Sequence, residues 1–191
     1  MCMQKVIIIF LSYLFIFCYY PCFGSDLSKG KPLIRSNGTI EYDFSKQSQK
    51  KASKILYEYV LKDLNKTPKE AQNFANITPK TVKAFETDLN NDGQNEIIGV
   101  VFSTFYSCTE GLKLFILENK NKSYTDLTNV FILPDKKIYV NNGFINNYKE
   151  INFKCYNNHY RLEGEFVEAN VYLIFENSEY TYNYSKMKSN I

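Results

Sequence analysis

The sequence is very poor in histidine, since His159 is the only one among 191 residues. A Ser/His/Asp triad would have to form around this residue, and no nucleophile elbow accompanies it. A zinc site would also lack its usual ligands, which are several His or Cys side chains. Because His159 follows the turn-forming pair Asn157-Asn158, we interpret it as a surface residue.

Charge of one sign and long apolar segments are scarce as well. The chain has 23 basic and 20 acidic residues. This near-balance argues against nucleic acid as a partner, because phosphate binding demands a basic surface. After residue 24, no apolar run approaches the roughly 20 residues that a membrane-spanning helix needs. We therefore expect a soluble mature protein that binds neither nucleic acid nor membrane.

The one long apolar run lies at the N-terminus. Lys5 precedes apolar residues 6–20, and a short segment ending in Gly24 follows. This order is typical of a cleavable secretory signal, and an uncleaved anchor is the alternative. Lipid attachment is rejected because neither cysteine near the end of the run follows the required pattern. We predict a signal peptide over residues 1–24, cleaved after Gly24, and a secreted or periplasmic protein.

Few cysteines remain after cleavage. Three of the five lie within residues 1–24, which leaves Cys108 and Cys155. Two cysteines in an exported chain are more often bridged than free. A catalytic or metal-binding role lacks support, because no CxxC spacing is present. We predict a structural disulfide between Cys108 and Cys155.

The order of elements predicts an α+β fold. Residues 25–44 read as a loosely ordered lead-in, and apolar residues at helical spacing predict a helix from Ser45 to about Asn65. Thr67, Pro68 and Glu70 have the spacing of a capping box that opens a second helix. From Thr81 onward the apolar period is that of strands. We expect one domain over residues 45–191, with N-terminal helices packed on an antiparallel sheet or meander.

Turn-forming pairs divide the second half of the chain into short strands. They include Asn142-Gly143, Asn157-Asn158 and Asn177-Ser178. The pattern predicts strands at residues 82–87, 96–106, 112–118, 130–133, 137–140, 144–153, 160–167 and 171–176, and a last strand over the alternating tyrosines 180, 182 and 184.

One loop has the spacing of a metal site, D-x-N-x-D-G-x-x-E over residues 88–96. Calcium takes six to eight oxygen ligands, and a tight loop supplies them from alternate positions. Gly93 permits the sharp bend because glycine tolerates positive φ. The predicted ligands are the side chains of Asp88, Asn90 and Asp92, the backbone carbonyl of Gln94, and the carboxylate of Glu96, directly or through water.

The apolar run after this loop, Ile97 to Phe102, is typical of a strand, which distinguishes the loop from an EF-hand. The loop resembles the calcium loops of FG-GAP and related β-propeller repeats. It is more similar to small bacterial exported proteins with a single DLNGDG-x-x-EI-type segment, often followed by a glycine-rich stretch with cysteines, here Ser107 to Leu114. The resemblance covers residues 82–118 and implies a calcium loop that leads into a strand.

A plain turn with Asx hydrogen bonds is the alternative interpretation of residues 88–96. However, such a turn needs only Asn-Gly or Asp-Gly. It does not need three carboxylates, Asp88, Asp92 and Glu96, which would repel one another without a cation. We therefore favour calcium as the cofactor.

Three functions remain open. The first is a binding module without catalytic activity, whose partner is another extracytoplasmic protein or a glycan. An inhibitor or immunity-type protein is one form of it. The last is a small secreted hydrolase with structural calcium, for which Glu163, Glu165 and His159 are the only candidate residues. Glu163 and Glu165 alternate on a predicted strand and Glu168 follows, so a solvated strand face explains them without catalysis. The shortage of catalytic groups favours binding.

Overall fold

The computed structural model describes residues 31–108, 111–121, 123–132, 136–162 and 165–183, with the backbone alone for 108, 132, 155–162 and 165–169. Two α-helices precede most of the strands, α1 (Lys50–Asp63) and α2 (Pro68–Ala75), and a 3-10 turn spans Thr104–Tyr106. The strands are β1 (Leu33–Ile34), β2 (Ile40–Asp43), β3 (Val82–Thr87), β4 (Glu96–Val101), β5 (Ser107–Cys108), β6 (Gly111–Lys120), β7 (Ser123–Asp126), β8 (Phe131–Ile132), β9 (Lys137–Ile145), β10 (Tyr148–Leu162), β11 (Glu165–Glu176) and β12 (Glu179–Tyr182).

The strands form two antiparallel sheets. The first has the order β1-β2-β9-β10-β11-β12, and the second has the order β3-β4-β6-β5, with β7 and β8 also pairing with β6. The main core lies between the sheets, where Phe85, Ile98 and Ile116 of the second sheet share one buried cluster with Ile151 and Leu173 of the first. This arrangement is a sheet-on-sheet packing with a common apolar interior.

The predicted α+β fold, with helices packed on one sheet, is therefore wrong. The described residues are mostly β, and the helices cover only the outer face of the second sheet. The physical reason is that strand alternation shows that one face of a strand is apolar, but does not show whether a helix or a second sheet covers that face. The apolar sequence of β4 was the sign of a second covering layer that the prediction overlooked. All six of its residues are buried, as expected for a strand covered on both faces.

Gly99 in β4 allows α1 to approach the second sheet closely. A Cβ at this position would lie 2.5 Å from Leu56 Cδ2, 2.6 Å from the Lys83 carbonyl oxygen and 2.7 Å from Ala84 Cβ. Such distances are well inside van der Waals contact, so any side chain here would push α1 or β3 away. The smaller apolar cluster under the helices depends on this contact, because Leu56 and Ala84 both belong to it.

The predicted start of α2 is confirmed. Thr67 Oγ1 accepts the backbone N–H of Glu70, and the Glu70 carboxylate accepts the backbone N–H of Thr67 at 2.8 Å. This reciprocal pairing satisfies helix N–H groups that have no partner within the helix. Asn76 ends α2 in the left-handed conformation, with φ of 53°.

Two tight hairpins organise the first sheet. Asn146 and Asn147 join β9 to β10, and Asn177 and Ser178 join β11 to β12, all with positive φ. Two central residues with positive φ match the twist of antiparallel strands. The prediction of a turn at 177–178 is confirmed. Those at 142–143 and 157–158 are wrong, because both pairs lie inside strands, the former beside an irregularity in the β9–β10 register.

Part of the region expected to be a lead-in, β1 and β2, takes part in the first sheet. β2 pairs with β9, and Tyr42 and Phe44 are 1% and 0% exposed in the main core. Their burial explains why the chain is ordered before α1. The predicted signal peptide, residues 1–24, lies outside the described residues. Among the helices of the described ranges, none is long and apolar enough to cross a membrane.

Candidate metal centre

The 88–95 loop joins the paired ends of β3 and β4, where Thr87 lies opposite Glu96. Leu89 is completely buried in the main core and anchors the loop. Asn91 and Gly93 have positive φ, 59° and 83°. The sharp bend that the sequence predicts at Gly93 is therefore present.

Short hydrogen bonds gather the polar side chains around this bend. Asp88 Oδ2 accepts the backbone N–H of Gly93 at 3.1 Å. Asn90 Oδ1 accepts the N–H of Asp92 at 3.0 Å, and Asp92 Oδ1 accepts the N–H of Gln94 at 2.7 Å. These are Asx-type bonds, which close a loop in the absence of any ion.

Asp88 has one oxygen without a partner. Its Oδ1 atom is buried and has no hydrogen-bond partner, although its other carboxylate oxygen bonds Gly93. A buried carboxylate oxygen without a donor is costly, because it has lost water and gained nothing in exchange. A bound cation would supply the missing partner.

Glu96 closes the loop and is buried, with 2% of its surface exposed. Its Oε2 atom accepts the backbone N–H of Leu89 at 2.7 Å. Burial raises the pKa of Glu96 to about 7, and the nearby charges of Asp92 and Asp88 act in the same direction. Glu96 is thus a carboxyl whose charged form is disfavoured by its surroundings.

The loop also connects the two sheets. Lys149 of β10 donates from Nζ to the backbone carbonyl of Asp88 at 2.7 Å and from its backbone N–H to Leu89 O at 2.8 Å. The carbonyl of Lys149 in turn accepts the Tyr180 hydroxyl at 2.9 Å. A loop of the second sheet is therefore held against two strands of the first.

An aromatic group borders this contact. The rings of Tyr148 and Phe175 stack with centroids 3.8 Å apart, and Tyr180 meets both rings nearly edge-on. The Tyr148 hydroxyl donates to Glu118 Oε1 at 2.8 Å, and burial raises the pKa of Tyr148 to about 12. No local motif singled out Tyr148, Lys149 or Glu118, because they come together beside the loop only through the packing of distant strands.

The predicted ligands are only partly brought together. Asp88, Asn90 and Asp92 lie around the bend, whereas Glu96 is buried and its Oε2 atom already accepts the Leu89 N–H. Within the described residues, no group of three or more His, Cys, Asp or Glu side chains is arranged to hold a metal ion. Binding by all the predicted ligands would therefore require side chains of the loop to reorient.

The other predicted site residues lie outside the part that the structure describes in full. Cys108 is in β5 and Cys155 is in β10, so they belong to strands of different sheets, but their side chains are outside the described set. The side chains of His159 and Glu165 also lie outside the described set, as does the whole of Glu163. Their predicted roles remain predictions.

Comparison with protein-family models, with curated proteins and with solved structures finds no match for this chain.

Proposed function

We propose that this protein is an exported binding module without catalytic activity, in which the 88–96 loop binds calcium to stabilise the contact between the two sheets. The observation that carries the proposal is the buried, unpartnered Oδ1 atom of Asp88 at the bend of an acidic loop. Carboxylate and amide oxygens are the ligands that calcium prefers.

The charges of the loop support the same proposal. Among the described residues, Asp88, Asp92 and Glu96 form no ion pair. The one lysine that contacts the loop, Lys149, bonds a backbone carbonyl and not a carboxylate. A divalent cation would offset the repulsion that these carboxylates exert on one another.

The loop's position indicates a structural ion. Leu89 and Asp88 are bonded to Lys149 of the first sheet, so an ion that rigidifies the loop would also strengthen the contact between sheets. In this role the ion is structural: the loop residues hold it, and it does not need to contact a substrate. The resemblance to exported proteins with a single calcium loop is consistent with such a role.

The competing hypothesis is a plain turn, and the Asx hydrogen bonds at residues 88–94 favour it. An NMR titration of the exported protein with calcium distinguishes the two. We expect saturable shifts of the Leu89, Gly93 and Gln94 amides with a dissociation constant of about 10⁻⁴–10⁻³ M. Magnesium should act more weakly, because it demands a regular octahedral site.

Asp88→Ala should abolish these shifts. Asn91→Gly is the matched control: Asn91 is exposed with φ of 59°, a conformation that glycine adopts easily, so this variant should bind as the parent does. Absence of a saturable response at 10 mM calcium, about tenfold above the expected range, would establish the plain turn.

Export and the disulfide are part of the same proposal. Intact-mass analysis of secreted protein should find Ser25 as the first residue, whereas retention of Met1 in a membrane pellet would contradict cleavage. Alkylation of non-reduced protein should leave Cys108 and Cys155 unmodified. Two reactive thiols would contradict the bridge.

A further inference from the structure

Two phenylalanine rings protrude from the surface at the end of α2 and in the 3-10 turn. Phe74 is 53% exposed and Phe105 is 50% exposed, and their centroids lie 5.1 Å apart. Single exposed apolar side chains are ordinary on protein surfaces, but adjacent ones mark interaction sites.

Buried residues underneath hold these two rings in place. Phe105 meets Tyr106 edge-on at 5.0 Å, and Tyr106 meets Phe115 of the helix-side core at 5.1 Å. The buried Ser103 hydroxyl donates to the carbonyl of Ala75 at 2.7 Å and accepts the N–H of Phe105. The 3-10 turn is thereby fixed to the end of α2, so a partner that binds here has little ordering entropy to overcome.

A groove of about 360 Å³ is lined by Ala75 and Thr104, the chain neighbours of the two rings, and also by Phe102 and Lys136. Lys136 Nζ lies 5.1 Å from the centroid of Phe102, and Lys66 Nζ lies 4.7 Å from that of Phe74. We call Phe74, Phe105, Phe102, Lys66 and Lys136 the aromatic–lysine patch.

The described part of this patch carries an excess of positive charge. No described residue that lines the groove is acidic, and Lys66 and Lys136 form no ion pair with any described residue. Hydrogen bonds from Thr67 and, to a smaller extent, the nearby charge of Lys66 lower the pKa of Glu70, the one carboxylate of α2, so Lys66 has a carboxylate nearby although the two form no ion pair. A partner with carboxylates would therefore find cations at two points of the patch.

We propose that the aromatic–lysine patch binds an acidic polypeptide segment, whose carboxylates meet Lys66 and Lys136 on either side of an aromatic or aliphatic side chain seated against Phe105. This inference rests on the proposed role as a binding module and gives the partner its chemistry. The concave groove beside the half-buried Phe102 favours a peptide over a flat bilayer surface. Aromatic anchors at the centre of a patch with charges around it are typical of peptide and protein interfaces.

The test is selection of random 12-residue peptides displayed on phage against the full exported chain. We expect enriched sequences with Asp or Glu on both sides of an apolar residue, and binding that weakens as salt is raised. Phe105→Ser, and the double variant Lys66→Glu with Lys136→Glu, should each weaken the best peptide at least tenfold. The lysine variant keeps the assignment testable if Phe105→Ser folds poorly, since Lys136 is exposed and Lys66 is not buried in the core.

Phe144→Ser is the matched control, because Phe144 is 47% exposed on β9 and not part of the patch, and binding should stay within twofold of the parent. Asp88→Ala should also bind as the parent does, so this result is independent of the calcium proposal. Enriched peptides without acidic residues, or binding that the patch variants leave unchanged, would overturn the assignment. Weaker peptide binding by Asp88→Ala would also overturn it. The same holds if the protein binds no peptide but co-sediments with phosphatidylglycerol vesicles.

Discussion

The two faces of the four-stranded sheet differ in what they bury. On the face toward the helices, β4 and β6 present Ile97, Val101, Phe115 and Leu117, all at most 1% exposed. On the face toward the other sheet, apolar residues lead to Glu96 and Glu118 at the ends of the same strands, at 2% and 8% exposure. On these two strands the buried residues that face the helices are apolar, whereas the other face ends in two buried carboxyls.

The two faces therefore contribute to stability in different ways. A dry apolar contact stabilises in proportion to its buried area and tolerates little change in volume. A buried carboxyl costs free energy unless it is paired. Glu118 is paired with the Tyr148 hydroxyl and with Lys120 Nζ at 2.6 Å, whereas Glu96 forms no ion pair with a described residue.

The largest effect is expected on the apolar face. Gly99→Ala places a Cβ within 2.7 Å of atoms in α1 and β3, one of them a backbone oxygen. Because the backbone has little room to move, we expect a loss of about 3 kcal/mol in the free energy of unfolding, at the upper end for overpacking. The melting temperature should fall by roughly 6–12 °C, as measured by circular dichroism.

Gly143→Ala provides the control for this substitution. No atom lies within 4 Å of a Cβ at Gly143, so the free energy of unfolding should change by less than about 0.5 kcal/mol. Equal melting temperatures for the two variants would mean that α1 does not approach the sheet as closely as described.

The carboxyl face should show a dependence on pH. In chelator, the folded state keeps Glu96 protonated up to a pKa of about 7, whereas the unfolded chain ionises near its ordinary value of about 4.5. Below about pH 4.5 the carboxyl is protonated in both states and costs nothing. The free energy of unfolding should therefore fall as the pH rises toward 7, by up to about 3 kcal/mol from this group.

Glu96→Gln removes this titration. At pH 8 in chelator it should be more stable than the parent, and the difference between their chemical denaturation curves should vanish below about pH 4.5. Glu58→Gln, on the exposed surface of α1, should follow the parent at every pH. Parallel profiles for the parent and Glu96→Gln would show that Glu96 ionises normally in the folded protein.

Sequence patterns predicted the local features of this fold and missed the long-range ones. The capping box at Thr67 and Glu70 and the bounds of β3 follow from residues close in the chain, and both are as predicted. Pairing across the chain decides the rest. No local signal shows that β2 joins β9, or that Lys149 reaches Asp88 from 61 residues away.

The candidate site shows the same limit. Its loop was predicted from a spacing of nine residues, and the bend at Gly93 is confirmed by its φ of 83°. The contact with Lys149 depends on the first sheet packing against the second, and the alternation of strands does not reveal that packing. The spacing D-x-N-x-D-G-x-x-E therefore predicts the bend and the oxygen atoms around it. It does not predict the surroundings that determine whether the carboxyl groups are charged.

The smallest effect is expected from calcium itself. With a dissociation constant of about 10⁻⁴–10⁻³ M, 1 mM calcium should add about 0.4–1.4 kcal/mol to the free energy of unfolding. Melting temperatures in 1 mM calcium should therefore exceed those in chelator by roughly 1–6 °C, with a smaller rise in magnesium. Asp92→Ala should remove this rise and Asn91→Gly should keep it, because Asp92 is a predicted ligand and Asn91 is not. Equal melting temperatures in calcium, magnesium and chelator would mean that the carboxyl face tolerates its buried charge without an ion. Lys149 and the Asx bonds would then account for the loop.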